Sequence, residues 1–250
     1  MSLLLGAVAA ASTLELLAWS PPGWGANLIR GLANTLLIAL GAYALGLVIG
    51  VFGAFGKLYG GPIIKDVLLG YTTIVRAVPE LVLILILYFA VTDAVNRVLA
   101  LYGYDPIQVS GIAAGILVLG VVQGAYSTEV LRGAIQSVPA GQIEAARAMG
   151  MSPVLVARRI TLPLMTSAAV PGLANLWLTV TKDTALLAIV GFAELTQETR
   201  QAAGATKAFM TFFMAAGALY LMVSLVSGLI FGRIERWASR GQRSAGRGSI

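Results

Sequence analysis

Cysteine and histidine are both absent from the 250-residue sequence, and charged residues make up only 11% of it. The first two absences exclude disulfides, thiol nucleophiles, histidine bases and the usual zinc sites. The scarcity of charge excludes an ordinary soluble domain, in which about 25% of the residues are charged. Hydrophobic residues make up 58% of the sequence. They form long runs, which indicate membrane helices; a membrane β-barrel would show short alternating strands.

Five apolar runs are long enough to cross a bilayer, for which about 20 residues are needed. Four of them contain no charged residue: 31–56, 106–128, 160–181 and 208–232. The fifth lies between Asp66 and Asp93 and is interrupted only by Arg76 and Glu80. These runs predict an all-α integral membrane protein with five transmembrane helices.

Basic residues are distributed unevenly over the segments outside these runs. Two connections and the C-terminal end carry a large group: Lys57, Lys65, Arg132, Arg147, Arg158, Arg159, Arg233, Arg236, Arg240, Arg243 and Arg247. The other connections carry only Arg97, Arg200 and Lys207. Because basic residues accumulate in cytoplasmic loops, this bias predicts an extracytoplasmic N-terminus and a cytoplasmic C-terminus. The net charge of +6 therefore indicates membrane orientation and not nucleic-acid binding, since no surface of basic and aromatic residues accompanies it.

The two ends of the chain lie outside the apolar domain predicted for residues 23–238. Residues 1–22 are largely apolar but contain Glu15. This composition favours an amphipathic segment on the outer membrane surface, with a sixth span as the alternative. Residues 239–250 have no apolar face to bury and predict a disordered cytoplasmic tail.

A polar segment, SVPAGQIEAARAMGMSP, separates the third and fourth runs. Its residues from about 140 to 152 include good helix formers. Gly150 suits the end of that helix, and Pro153 suits the first turn of the next one. The charge bias places this helix in the cytoplasm. On these grounds it is either an ordinary amphipathic loop helix or a docking site, where Ala145 and Ala146 would allow a partner to approach closely.

Glu144-Ala145-Ala146 is followed by Gly150, by Ile160 and by Leu162-Pro163, a spacing that matches the EAA signature of the membrane subunits of ABC importers. The flanking stretches GAYSTEVLRGAIQSVPAGQ and TKDTALLAIVG resemble the polar amino acid permeases. The stretch GYTTIVRAVPELVLILILYFA resembles their histidine, basic amino acid and opine branch. This resemblance covers about residues 23–237 and implies the type I importer permease fold, also called MetI-like.

The resemblance implies a permease subunit that moves polar amino acids into the cell across the bacterial inner membrane. The branch implies basic amino acids (histidine, lysine, arginine and ornithine) or opines. In this family the EAA segment is the coupling helix, so Glu144, Ala145, Ala146 and Gly150 are predicted to contact the ATPase. The implied partners are an ATPase dimer, an extracytoplasmic amino-acid-binding protein and a second permease. That permease is expected to be a related but different chain, and a homodimer stays open. The sequence has no GxxxxGK[ST] phosphate loop, so ATP and Mg are expected on the ATPase and no cofactor is expected here.

Four charged residues within or at the end of an apolar run are candidates for the substrate pathway: Arg76, Glu80, Lys182 and Asp183. Ionisable groups inside a bilayer are costly and usually face a partner or a water-filled cavity. Arg76 and Glu80 are four residues apart across Pro79, which suits either a mutual ion pair or contact with a zwitterionic substrate. Lys182 and Asp183 are adjacent and need separate partners, which could be structural or belong to the substrate.

Glu129 and Arg132 lie three residues apart, which predicts a local helix pair, with a role in a gate as the alternative. A non-transporting membrane scaffold or regulator is the main alternative for the whole chain. It would need the docking segment but no intramembrane charges. A secondary transporter would usually have more spans and an internal repeat, and a membrane enzyme is disfavoured by the absence of histidine, cysteine and a metal-ligand cluster.

Overall fold

The computed structural model describes residues 13–105 and 111–239, and within these ranges the chain is helical and contains no strand. The helices are α1 (Thr13–Leu16), α2 (Gly25–Tyr59), α3 (Pro62–Ala77), α4 (Glu80–Leu101), α5 (Gly111–Gln136), α6 (Ala140–Ala148), α7 (Pro153–Val156), α8 (Leu162–Asp183), α9 (Leu195–Thr206) and α10 (Phe209–Ala238). A π-helical turn (Ala157–Thr161) precedes α8, and a 3-10 helix (Thr184–Val190) follows it.

Five helical stretches in the described residues are long and apolar enough to cross a membrane: Gly25–Tyr59, Glu80–Leu101, Gly111–Gln136, Pro153–Val190 and Phe209–Ala238. The predicted all-α class and the number of spans are therefore confirmed. Most of these stretches extend beyond the uncharged runs of the sequence. Such extension is expected because helix ends that project from the hydrocarbon can carry charged residues.

The span predicted between Asp66 and Asp93, which is the second in chain order, is divided in the structure. Helix α3 ends at Ala77, Val78 is extended (φ −90°, ψ 139°), and α4 begins at Glu80. Pro79 is the physical cause, because it lacks an N–H and forces the residue before it out of the helical region. The membrane-length helix is therefore α4, which continues past Asp93 to Leu101. Arg76 and Glu80 lie on different helices and not one turn apart on the same helix.

The chain folds into two compact units. Within the described residues, the first contains the segments up to Ala42, Leu81–Leu119 and Val180–Ser224. Its core surrounds Phe212 and Leu195, which are both fully buried, and includes Leu28 and Ala202. Leu16 also packs into this core. Residues 1–12 lie outside the described ranges, so the interfacial position predicted for residues 1–22 stays a prediction.

The second unit contains Tyr43–Glu80, Gly120–Thr179 and the segment from Leu225 onward. Its core contains Ala54 on α2, Leu131 and Ala134 on α5, and Ala169 on α8. Tyr43 and Trp177 form an edge-to-face ring contact with centroids 5.5 Å apart, and the Trp177 indole donates to Ser227 Oγ at 2.8 Å. Residues 240–250 of the predicted tail lie outside the described ranges.

Glycines on α2 allow that helix to pack closely against α5 in the second unit. A Cβ atom at Gly50 would lie 2.9 Å from the Ser127 carbonyl carbon and 3.1 Å from the Thr128 nitrogen. Gly53 faces the Thr128 side chain in the same way. Small residues allow such close approach of helices in lipid, where packing drives association. These two glycines of α2 therefore allow two helices of the same chain to pack closely.

Candidate coupling segment and polar cavity

The EAA segment forms a short helix that ends at a left-handed glycine. Gly150 has φ +80°, a conformation that glycine adopts without steric cost. The Gly150 N–H donates to the Arg147 carbonyl at 2.9 Å, and the Met151 N–H donates to the Ala146 carbonyl at 3.1 Å. These two bonds are those of a Schellman motif. The predicted end of this helix at Gly150 is therefore confirmed.

The next helix begins immediately after this turn. Ser152 caps α7, its Oγ accepting from the Leu155 N–H at 3.4 Å, and Pro153 occupies the first turn. Serine is a preferred N-cap, and proline fits the first helical turn because no N–H is needed there. We call residues 144–156, from the EAA motif to the end of α7, the coupling segment. Its path is determined by local signals at Gly150, Ser152 and Pro153.

The two alanines of the EAA motif lie in different environments. Ala145 is exposed, as are Glu144 and Gly150, whereas Ala146 is only 4% exposed and is covered by the chain itself. The sequence did not predict that the segment also exposes large apolar side chains, Met149 at 80% and Val154 at 76%. An exposed acid, small residues and two apolar side chains thus lie on one short segment.

A network of charged residues joins three helices of the second unit. Lys57 Nζ on α2 donates to Glu129 Oε1 on α5 at 2.5 Å and to Thr72 Oγ1 on α3 at 2.7 Å. Arg132 donates to Glu129 Oε2 at 2.7 and 3.1 Å. The predicted local pair of Glu129 and Arg132 is confirmed. The Lys57 side chain is only 9% exposed. The sequence identifies Lys57 only as an indicator of topology, because the residues next to it do not indicate Glu129 as its partner.

A cavity of about 370 Å³ opens beside this network. Helix α3 contributes one face to it, and Lys57, Glu129 and Arg132 contribute the rest of its polar lining. Because both Glu129 oxygens are already bonded to basic side chains, that carboxylate is neutralised within the wall. Helix α3 adds basic groups, hydroxyl groups and the carboxylate of Asp66 to this wall.

The four predicted pathway residues fall into two groups. In the second unit, Arg76 lines the cavity, and Glu80 Oε1 accepts from Tyr126 OH at 3.2 Å. The ion pairs among the described residues do not join Arg76 to Glu80, so the interpretation as a mutual pair is wrong. Lys182, which is exposed, and Asp183, which is half-buried, end α8 in the first unit.

Sequence reasoning missed a buried carboxylate in the first unit. Glu194 is fully buried and caps α9, accepting from the Thr196 N–H at 2.9 Å and the Gln197 N–H at 2.8 Å. Tyr220 OH and Thr35 Oγ1 donate to it at 3.2 and 3.4 Å. Burial raises the pKa of Glu194, while these hydrogen bonds oppose the rise. The signal available in the sequence was an acid directly before a polar helix, a common capping position.

The five membrane-length helices and the exposed helix–glycine–helix segment between the third and fourth agree with the ABC importer permease that the EAA signature predicts. Residues 46–240 match the family described as "Binding-protein-dependent transport system inner membrane component". The chain belongs to this family. It is 37% identical over 228 residues to the octopine transport system permease protein OccQ of Rhizobium radiobacter, covering 91% of this chain and 96% of the relative.

A second relative is the histidine/lysine/arginine/ornithine transport system permease protein HisQ of Escherichia coli K12, which is 36% identical over 223 residues, covering 89% of this chain and 98% of that protein. Among solved structures, the chain is similar to one described as an amino acid ABC transporter with histidines. The TM-score is 0.75 at 27% sequence identity, with 91% of this chain and 99% of that chain covered. The chain is therefore a transport subunit in the MetI-like fold. It works with an ATPase and a partner permease, and ATP is hydrolysed on the separate ATPase subunits.

Proposed function

We propose that this permease imports polar amino acids, with basic amino acids or opines as its substrate class. Relatives covered almost end to end are named for octopine and for histidine, lysine, arginine and ornithine transport. The stretch around Arg76 and Glu80 resembles the same branch. Of the four residues that the sequence predicts as pathway contacts, Glu80, Lys182 and Asp183 are proposed to contact the substrate, whereas Arg76 lies in the lining of the basic cavity.

The proposed assembly has an ATPase dimer on the cytoplasmic side, a related but different permease chain and an extracytoplasmic amino-acid-binding protein. The charge bias supports an orientation in the bacterial inner membrane with the N-terminus outside and the C-terminus in the cytoplasm. In this orientation the coupling segment faces the ATPase. We expect no cofactor on this chain, with ATP and Mg on the ATPase.

The observation that carries the proposal is the exposed surface of the coupling segment. Glu144, Ala145 and Gly150 are accessible on a helix that ends in a fixed turn. In the proposed mechanism, the ATPase surface packs against the small Ala145 side chain, and Met149 inserts into an apolar part of that surface. Movement of the ATPase then moves α6 and α7 together. The buried Ala146 supports the segment from behind.

The test uses the complete reconstituted transporter with Ala145→Trp in this chain. Because Ala145 is exposed within the chain, we expect the variant to fold and insert. Overpacking a fitted contact costs about 1–3 kcal/mol, which is up to roughly a hundredfold in affinity. The ATPase should therefore dissociate, and uptake of labelled arginine, histidine or octopine should fall. The loaded binding protein should also no longer stimulate ATP hydrolysis.

The matched control is Ala140→Trp, which adds the same side chain at the exposed first residue of α6, outside the EAA motif. It should retain stimulated hydrolysis and uptake. If Ala145→Trp keeps wild-type ATPase stoichiometry and stimulation, the segment is not the coupling contact. If the wild-type transporter takes up none of the three labelled substrates while hydrolysis is stimulated by another loaded binding protein, the proposed substrate class is wrong.

A further inference from the structure

One face of α3 lines the cavity of the second unit along most of the helix. Lys65, Leu69, Thr72, Thr73 and Arg76 line it, and their spacing of three or four residues places them on one side of an α-helix. Lys65 and Arg76 are eleven residues apart, which corresponds to about 16 Å along the helix axis. The cavity is thus an elongated groove with a basic residue at each end of the α3 face.

The charges of this groove do not balance. Its lining includes four basic side chains, Lys57, Lys65, Arg76 and Arg132, and two acidic ones, Asp66 and Glu129, so the net charge is +2. Glu129 is bonded to Lys57 and Arg132. The ion pairs among the described residues leave Lys65 and Arg76 without a carboxylate partner. The groove therefore favours an anion and disfavours a cationic side chain.

The other face of α3 is apolar and exposed. Ile63, Val67 and Ile74 are 77%, 66% and 60% exposed, and they lie about half a turn from the residues that face the groove. Lys57 lies in the last turn of the membrane helix α2, so the groove is close to a membrane surface. A helix at such a position, with one basic and one apolar face, has the composition of elements that bind acidic lipids.

We propose that the groove along α3 binds the phosphate of an acidic phospholipid, whose acyl chains lie along the apolar face of the same helix. The Arg76 guanidinium can hold two phosphate oxygens at once, as arginine does in bidentate contacts. Lys65 adds a second positive charge, and the exposed Thr73 hydroxyl can donate to a phosphate oxygen. This proposal assigns Arg76 to the lipid in place of the substrate pathway.

The experiment measures phosphatidylglycerol retained by the purified complete transporter during washing with a neutral detergent, using mass spectrometry and a titration of added lipid. The wild-type complex should retain phosphatidylglycerol in preference to phosphatidylcholine. Each basic residue near a charged lipid contributes about fivefold in affinity. The double variant K65Q/R76Q should therefore bind phosphatidylglycerol roughly thirtyfold more weakly, with the ATPase still bound at wild-type stoichiometry.

The matched control is R233Q/R236Q, which removes the same charge from two exposed arginines of α10 in the same unit that do not line the groove. It should keep wild-type affinity for phosphatidylglycerol. An equal loss in both double variants would overturn the proposal, because surface charge alone would then explain binding.

Two measurements on the wild-type complex are independent of any effect of the variants on folding. Excess inorganic phosphate should leave the lipid bound, since it lacks acyl chains to contact α3; displacement would identify a site for soluble phosphate instead. Transported amino acids should also leave it bound. Displacement by arginine or histidine would assign the groove to the substrate pathway and contradict lipid binding.

Discussion

Replacing Glu194 with glutamine tests the hydrogen-bond network that joins three helices of the first unit. The change keeps the shape of the side chain but turns one carboxylate oxygen into an NH₂ group. Both oxygens accept from backbone N–H groups, those of Thr196 and Gln197. Either orientation of the amide therefore places a donor against a donor and leaves one N–H without an acceptor.

The expected loss of stability follows from the one backbone N–H group that is left without an acceptor. A buried donor left without a partner costs about 1–3 kcal/mol, and Glu194 itself is fully buried. For a chain of this length each kcal/mol lowers the unfolding midpoint by about 2–4 °C. We therefore expect Glu194→Gln to lower the thermal unfolding midpoint of the purified permease by roughly 2–12 °C, measured by intrinsic fluorescence in a neutral detergent.

Glu198 provides the matched control on the same helix. It accepts one bond, from Asn27 Nδ2 at a long 3.4 Å, so Glu198→Gln should lower the midpoint by no more than about 2 °C. The explanation fails if Glu194→Gln unfolds within 1 °C of the wild type. It also fails if both variants lose the same amount, because the cost would then not arise from the bonds made by Glu194.

Two further predictions concern the second unit and the topology. Lys57→Met should lower stability by about 1–3 kcal/mol, because it removes the hydrogen bonds to Glu129 and Thr72 while Arg132 stays bonded to Glu129. A variant as stable as the wild type in the same thermal assay would contradict the role of the pair. In this cysteine-free chain, Tyr104→Cys should react with an impermeant maleimide in intact cells and Arg147→Cys should not; external labelling at position 147 would reverse the proposed orientation.

Local signals allowed much of the fold to be predicted. Uncharged runs identified four spans because burial in lipid requires about 20 apolar residues. Gly150 and Pro153 marked the end of one helix and the start of the next because their backbone preferences act without help from distant residues. The helix pair of Glu129 and Arg132 followed from spacing alone.

The second span in chain order shows that counting apolar residues over a run does not detect a break between two helices. The run from Asp66 to Asp93 contains enough apolar residues for a span, but Pro79 breaks it into two helices. The actual membrane helix continues beyond Asp93, whose charge is paired with Arg97 at 2.7 Å one turn later. A local ion pair lowers the cost of placing both charges near a membrane surface, and apolar counting cannot detect it.

Contacts between distant residues were not predictable from one sequence. Lys57 and Glu129 are 72 residues apart, and Glu194 binds Thr35 across 159 residues. The same limitation applies to Ala145 and Ala146. The motif presents them as a pair, and only the packing of the folded chain shows that one is exposed and the other covered.

The two glycines in the packing seam between α2 and α5 should differ in the sequence changes that evolution can tolerate. At Gly50, an added methyl group would meet backbone atoms of Ser127 and Thr128, which no side-chain replacement can remove. At Gly53, the obstructing atoms all belong to the Thr128 side chain. Alanine at position 53 could therefore be accommodated by a smaller residue at position 128, so these two positions should vary together among related permeases. Position 50 has no such compensating partner and should remain glycine wherever the two helices keep this distance.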